Sequence, residues 1–273
     1  MARGFDVIPF IKAHAYGNDF LFIDEAAVSA DEASSVAQAI CDRHSGVGAD
    51  GLIFYRITAI GAAMKLFNTD GSVAEVSGNG VRCLAAIVAN SDGDDDDDDV
   101  GGETVIETEG GVKVLTLLDT KPPRHTFRAF MGQPTGLREV DLDVGDEQLT
   151  VIVLSVGNPQ CIVLTDRLDE TRFARIGPLL ATHAAFPEGT NVEFVLVEQP
   201  DRARILIWER GVGPTTASGT GACASAVAAA KYGGAARALD VVSPGGSQHV
   251  DWRDDGIYLT GWAEVTARGE WLV

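Results

Sequence analysis

Positive charge is scarce in this chain of 273 residues. Lys and Arg together number 21 against 40 Asp and Glu, a formal net charge of -19. Lysine occurs only at Lys12, Lys65, Lys113, Lys121 and Lys231. So acidic a surface repels phosphate backbones and excludes nucleic acid as an expected partner. It favours solubility, and a salt-rich cytoplasm would select for it. Long apolar runs are also missing. None reaches the roughly 20 residues that cross a bilayer, and Met1 to Ile11 lacks the apolar segment of a secretory signal. A cytoplasmic protein with no membrane partner is expected. Cysteine is sparse: Cys41, Cys83, Cys161 and Cys223, with no CxxC pair and no His at zinc spacing. Reduced, mostly buried thiols and no metal site follow. His14, His44, His125, His183 and His249 lack metal-ligand spacing too and read as structural.

What is present is enough for proper cores, since 45% of residues are hydrophobic. The most extreme stretch is Ser91-Asp92-Gly93 followed by aspartate from Asp94 to Asp99. Charges packed this densely repel and stay solvated, so a surface loop is expected. The run lacks the spaced ligands and terminal Glu of a calcium loop. Elsewhere short strands alternate with a few helices. Strands are expected at Phe10–His14, Phe20–Ile23, Leu52–Tyr55, Met64–Phe67, Val105–Glu107 and Val112–Leu118. In the second half they fall at Leu149–Leu154, Cys161–Leu164, Val192–Val197 and Ile205–Trp208. Asp31 is placed to cap a helix running to about Arg43. Val81–Ala89 and Ala222–Ala230 are small, apolar segments that must be buried helices. The fold class is α/β (α+β), in two halves joined near Thr120–Pro123. The expected domains are 1–121 with a C-terminal return strand 263–273, and 122–262.

An internal repeat sharpens this picture. Phe67-Asn-Thr-Asp-Gly-Ser-Val-Ala-Glu-Val-Ser77-Gly-Asn-Gly80 aligns without a gap on Trp208-Glu-Arg-Gly-Val-Gly-Pro-Thr-Thr-Ala-Ser218-Gly-Thr-Gly221. Each copy runs from an aromatic residue ending a strand to Ser-Gly-x-Gly at the start of an apolar helix. A duplicated unit implies a pseudo-symmetric fold. Unpaired backbone N–H groups at a helix start bind anions, and glycines let a ligand approach closely. No Lys follows the second glycine, which excludes a phosphate-binding P-loop. Two such starts facing one another would suit a small carboxylate.

At these residues the chain resembles the diaminopimelate epimerase family. Lys12-Ala-His-Ala-Tyr-Gly-Asn-Asp-Phe20 and Arg43-His-Ser-Gly-Val-Gly-Ala-Asp-Gly51 are similar to its N-terminal motifs. Phe67-Asn-Thr-Asp-Gly-Ser72, Gly78-Asn-Gly80, Gly157-Asn-Pro159, Thr190-Asn-Val-Glu-Phe194, Trp208-Glu-Arg-Gly-Val-Gly213 and Gly219-Thr-Gly221 follow in order. The resemblance implies two pseudo-symmetric domains, each a curved, mostly antiparallel sheet wrapped around a central helix, with the substrate held between them. It implies a homodimer, and inversion at a carbon α to a carboxylate without metal or pyridoxal phosphate. One thiolate takes the α-proton and a thiol on the other face returns one. By resemblance Asn18, Asn68, Gly78, Asn79, Asn158, Asn191, Glu209, Arg210, Gly219 and Thr220 bind substrate, and Gln160 is counted with them. Amides match the donors and acceptors of a zwitterion, and Glu209 with Arg210 suits an ammonium and a carboxylate.

The chain departs from the family pattern where the chemistry is done. Ser77 and Ser218 stand where the resemblance implies the two acid/base cysteines, and Gln160 stands where it implies a histidine. A serine hydroxyl is a far weaker acid than a thiol and needs a neighbouring base. Glutamine hydrogen-bonds but does not shuttle protons near neutral pH. Cys83 and Cys223 lie more than one helical turn beyond their serines, and Cys161 faces away from Gln160 in a strand, so none is a ready substitute. The expected catalytic set is Ser77, Ser218 and Glu209. The primary reading is a cofactor-independent amino-acid isomerase acting on diaminopimelate or a close relative. The alternatives are a dehydratase or racemase of a proline-type amino acid, and a non-catalytic amino-acid binder.

Overall fold

The structure is a computed structural model that describes residues 7–74, 77–90 and 100–273. The aspartate run at Asp94–Asp99 lies outside the described residues. The chain forms two compact units, residues 1–129 with 262–273, and residues 130–261. The first contains β1 (Val7–Ala15), β2 (Asn18–Asp24), α1 (Ala33–Cys41), β3 (Gly51–Thr58), β4 (Gly61–Asn68), β5 (Val73–Ala74), α2 (Gly78–Ala89), β6 (Glu103–Thr108) and β7 (Gly111–Lys121). Strand β8 (Arg124–Gly132) belongs in part to each unit. The second continues with β9 (Thr135–Val144), β10 (Glu147–Ser155), β11 (Pro159–Leu164), α3 (Glu170–Ala181), β12 (Asn191–Gln199), β13 (Arg202–Glu209), β14 (Gly213–Thr215), α4 (Gly219–Tyr232), β15 (Ala238–Ser243) and β16 (Gly246–Trp252). The long β17 (Ile257–Leu272) is again shared. The expected junction at Thr120–Pro123 falls in the tight β7–β8 turn, inside the first unit.

The repeat seen in the sequence is a repeat of topology. In the first unit β1 pairs antiparallel with β2, β2 parallel with β3, β3 antiparallel with β4, and β4 parallel with β6. The second unit repeats this order with β10, β11, β12, β13 and β15. Each parallel pair demands a crossover, and a helix supplies it every time: α1 and α3 after β2 and β11, α2 and α4 after β4 and β13. The return strand is longer than expected: β17 pairs with β16 at Val250–Leu259, then with β1 at Phe10–Gly269.

Burial explains which helix lies inside. Helix α2 is buried continuously from Asn79 to Ile87, and α4 from Gly221 to Ala229. A helix apolar on every side must be enclosed. Accordingly α2 touches β1, β2, β4, β6 and β7, and α4 touches β10, β11, β12, β13, β15 and β16. Each sheet therefore curls around its own central helix. Alanine dominates α4 (Ala222, Ala224, Ala226, Ala228, Ala229), and small side chains let the strands close in. The opposite sheet faces carry the amphipathic α1 and α3, packed on Leu52 and Phe54, and on Val192 and Phe194.

Two expected boundaries need correction. Helix α1 begins at Ala33 after Glu32, with no side-chain cap, so Asp31 sits in the preceding turn. It ends at Cys41, short of Arg43, because Asp42 turns extended and uses its carboxylate on the backbone N–H groups of His44 and Ser45. Helices α2 and α4 begin three residues before their apolar stretches, at Gly78 and Gly219.

Candidate active site

In each unit the helix start is built by its serine. Ser77 and Ser218 are extended (φ -123 and -139), and their hydroxyls accept from the backbone N–H groups of Gly80 at 3.1 Å and Gly221 at 3.2 Å. Each serine is thus an N-cap, a role that stabilises a helix by about 0.5–2 kcal/mol. One of the orphan N–H groups is satisfied this way, and those of Gly78, Asn79, Gly219 and Thr220 have no intrahelical acceptor. The macrodipole adds positive potential at the same point.

Around the first helix start, the structure brings Asn18 and Asn79 together. Asn18 opens β2 immediately after the Tyr16–Gly17 turn, where both residues have positive φ (57 and 86), as a two-residue hairpin turn requires. Tyr16 accepts this conformation despite its bulk because its ring packs on Trp262 and its hydroxyl accepts from the Trp262 backbone N–H at 3.2 Å. Asn79 donates through Nδ2 to Asn18 Oδ1 at 3.1 Å. Asn68, the last residue of β4, is exposed and donates instead to Ser72 Oγ at 2.9 Å, inside its own turn.

The second unit gathers the remaining candidates. Gln160 is buried and donates to Asn158 Oδ1 at 2.7 Å. Register pairs Gln160 on β11 with Asn191 at the start of β12. Asn191 Oδ1 accepts from the Arg210 backbone N–H at 2.9 Å, and the Arg210 side chain donates to the carbonyl of Glu188 at 2.8 Å. Glu209 ends β13, half-buried, one residue before that contact. Gly219 and Thr220 are the first two residues of α4.

Four groups escaped the sequence reading. Arg82, the only charge in the run Val81–Ala89, is buried and donates to Asn79 Oδ1 at 2.5 Å. Glu193, the only charge in Val192–Val197, is completely buried. Burial, then the nearby charge of Glu209, raises its carboxyl well above the ordinary range and so disfavours the ionised form. Asp50 accepts from Asn18 Nδ2 at 2.8 Å and from Arg43 at 2.7 Å. Asp19 bridges Lys12 (2.9 Å) and Arg43 (2.7 Å); burial opposes its ionisation, but those two cations prevail and keep its carboxyl below the ordinary value. A lone charge inside an apolar segment was the legible signal for Arg82 and Glu193.

The thiols are not placed for acid/base work. All four cysteines are buried, and Cys161 joins the α3 side of its sheet, on the face opposite Gln160. Burial raises the thiol of Cys41 to about 12 and pushes those of Cys83 and Cys161 up as well.

A duplicated, sheet-wrapped helix with a glycine-rich start in each unit defines a known class of αβ protein. The structure aligns with the phenazine biosynthesis protein of the PhzF family from Bacillus anthracis at a TM-score of 0.72, with 13% identity, over 98% of this chain and 100% of that one. It aligns with a hydroxyproline epimerase from Agrobacterium vitis, solved with bound trans-4-hydroxy-L-proline, at 0.71, with 15% identity, over 98% and 93%. Within that class, residues 10–136 and 152–266 match the diaminopimelate epimerase family, and the chain belongs to it. It is 40% identical to a diaminopimelate epimerase of Desulforudis audaxviator, over 96% of this chain and 99% of that protein. It is 39% identical to one from Synechococcus elongatus, over 93% and 94%.

Proposed function

We propose that this protein is an amino-acid isomerase that inverts an α-carbon of diaminopimelate, LL to meso, without pyridoxal phosphate or metal. The supporting observation is the matched polarity of four asparagines, two in each unit, together with the two capped helix starts. Asn18, Asn79, Asn158 and Asn191 each have the amide oxygen bonded to a protein donor. An amide whose oxygen is satisfied by protein offers N–H groups outward, the match for a carboxylate. The helix-start N–H groups add further donors and favour the negative charge that develops as Cα loses its proton. The substrate is taken from the family, whose relatives carry that activity in their names. A homodimer in the cytoplasm is part of the same proposal.

Proton transfer falls to Ser77, Ser218 and Glu209. A carboxylate is the member of that set able to accept a proton near neutral pH, so Glu209 is the base and the hydroxyls support it. A second reading, a binder without turnover, is favoured by one observation: both serine hydroxyls are engaged as helix caps and the four thiols are buried. Incubation with LL-diaminopimelate in deuterated water, followed by NMR at Hα, separates the readings. Exchange with inversion supports the isomerase, and its loss in Glu209→Gln supports the assigned base. Binding without exchange supports the receptor. Water loss from hydroxyproline without exchange of diaminopimelate would overturn both in favour of a dehydratase.

A further inference from the structure

A directed chain of hydrogen bonds runs through the first unit. Arg82 Nη2 donates to Asn79 Oδ1 at 2.5 Å, Asn79 Nδ2 to Asn18 Oδ1 at 3.1 Å, and Asn18 Nδ2 to Asp50 Oδ2 at 2.8 Å. Its ends are chemically unlike. A guanidinium can only donate, and an ionised carboxylate can only accept. An amide between them has a free choice of orientation in isolation, because its oxygen and nitrogen have nearly the same shape. Here that choice is removed twice over. Arg82 forces an oxygen toward itself at Asn79, and Asp50 forces an NH2 toward itself at Asn18. The middle bond is then satisfied only if both amides point the same way.

We propose that Arg82 and Asp50 are positioning residues that lock Asn79 and Asn18 in one polarity, so that the second N–H of each amide is offered to the carboxylate of an amino-acid ligand. This rests on the function proposed above for the ligand, and on geometry alone for the lock. Both ends are secured by other contacts. The Arg82 guanidinium lies 5.7 Å from the Tyr16 ring centre and is 1% exposed. Asp50 is held by Arg43 through Oδ1 at 2.7 Å and by the backbone N–H of Asp19 through Oδ2 at 3.1 Å. The anchors therefore stay fixed while the amides answer to them. Reversed amides would turn carbonyl oxygens to the ligand and repel a carboxylate, so the lock sets the sign of the site.

The test exchanges the two groups at one end of the chain. Asn18→Asp sets a second carboxylate against Asp50, and Tm is expected to fall by about 3 °C or more. Adding Asp50→Asn supplies an amide that donates to the new carboxylate, and most of that loss is expected to return. The double variant then keeps the chain but presents an acceptor where a donor stood. Its affinity for meso-diaminopimelate, measured by calorimetry near neutral pH, is expected to stay about tenfold or more below wild type. Asp50→Asn alone removes one of the two anchors while Asn79 still fixes the Asn18 oxygen, and is expected to weaken binding by less than the double variant does. Arg56→Gln removes an exposed ion pair with Glu25 that takes no part in the chain, and is expected to bind within about twofold of wild type. Additive losses of Tm in the double variant overturn the lock, with or without ligand. Wild-type affinity in the double variant overturns the offered donors. Wild-type protein that fails to bind diaminopimelate overturns the proposed substrate, while the Tm cycle still decides the lock.

Discussion

Glu193 occupies the space that a side chain on Gly221 would need. A Cβ built on Gly221 would lie 2.5 Å from Glu193 Oε1, closer than real atoms approach. The last glycine of Ser-Gly-Thr-Gly is therefore required by a buried carboxyl. Glu193 is fully buried and has nowhere to retreat, so Gly221→Ala must displace the carboxyl or the helix start. A loss of about 1–3 kcal/mol in urea unfolding is expected, together with weaker diaminopimelate binding. An unchanged midpoint and affinity would show that the contact is soft.

Burial of that carboxyl ties stability to pH. Glu193 is raised well above its ordinary 4.5 by burial first and by the charge of Glu209 second. A raised folded-state pKa means the folded protein holds its proton where the unfolded chain releases it. The stability contributed is full below 4.5 and is lost as pH rises toward the folded-state value. Glu193→Gln is always neutral and does not titrate. Its Tm, relative to wild type, is expected to climb as pH is raised from about 4.5 to 8. A difference flat across that window would mean that Glu193 is ionised in the folded protein.

Loss of the serine caps should cost unequally. Ser218 is 6% exposed, whereas Ser77 is half-buried. Removing the Ser218 hydroxyl strands the Gly221 N–H away from water, and removing that of Ser77 leaves partial access for solvent. Ser218→Ala is expected near 2 kcal/mol and Ser77→Ala near 0.5 kcal/mol on the usual cap scale. Chemical denaturation of the two variants decides the order.

Much of this architecture could be read before any coordinates. The two runs at Val81–Ala89 and Ala222–Ala230 are apolar but for Arg82 and Ser225, too little polarity to make a face for water, and that places them inside a sheet. The matched Ser-Gly-x-Gly copies announced the duplication, and the topology repeats pair by pair. Other parts were hidden for physical reasons. Helix α3 carries Phe173, Ile176 and Leu180 on one face with Asp169 as its cap, a readable pattern obscured by Pro178 inside it and by its arginines. Strands β9 and β16 are mostly polar and place only Leu142 and Val144, and Val250, in the cores, too few apolar positions to mark them as strands. The bond from Arg82 through Asn79 and Asn18 to Asp50 joins residues up to 61 apart in sequence. Spacing has no means of announcing such a contact.

The serines themselves invite a restoration. A cysteine at a helix N-terminus has its thiolate stabilised by the same N–H groups that Ser77 and Ser218 now cap, and its pKa can fall toward neutrality. A serine hydroxyl in that place remains protonated. The triple change Ser77→Cys, Ser218→Cys and Gln160→His adds two ionisable thiols and, beside Asn158, a group that titrates near neutral pH. Exchange of Hα in LL-diaminopimelate is expected to rise on the order of 100-fold or more, the scale of well-placed acid/base groups. Thiol labelling supplies the internal control. The native cysteines are all buried, with Cys41 raised to about 12, and should stay unlabelled in the folded protein. The new pair should label near neutral pH and be shielded by ligand. Labelling and an intact fold without any gain in exchange would mean that diaminopimelate is not the substrate, and that the altered residues belong to a site for a different amino acid.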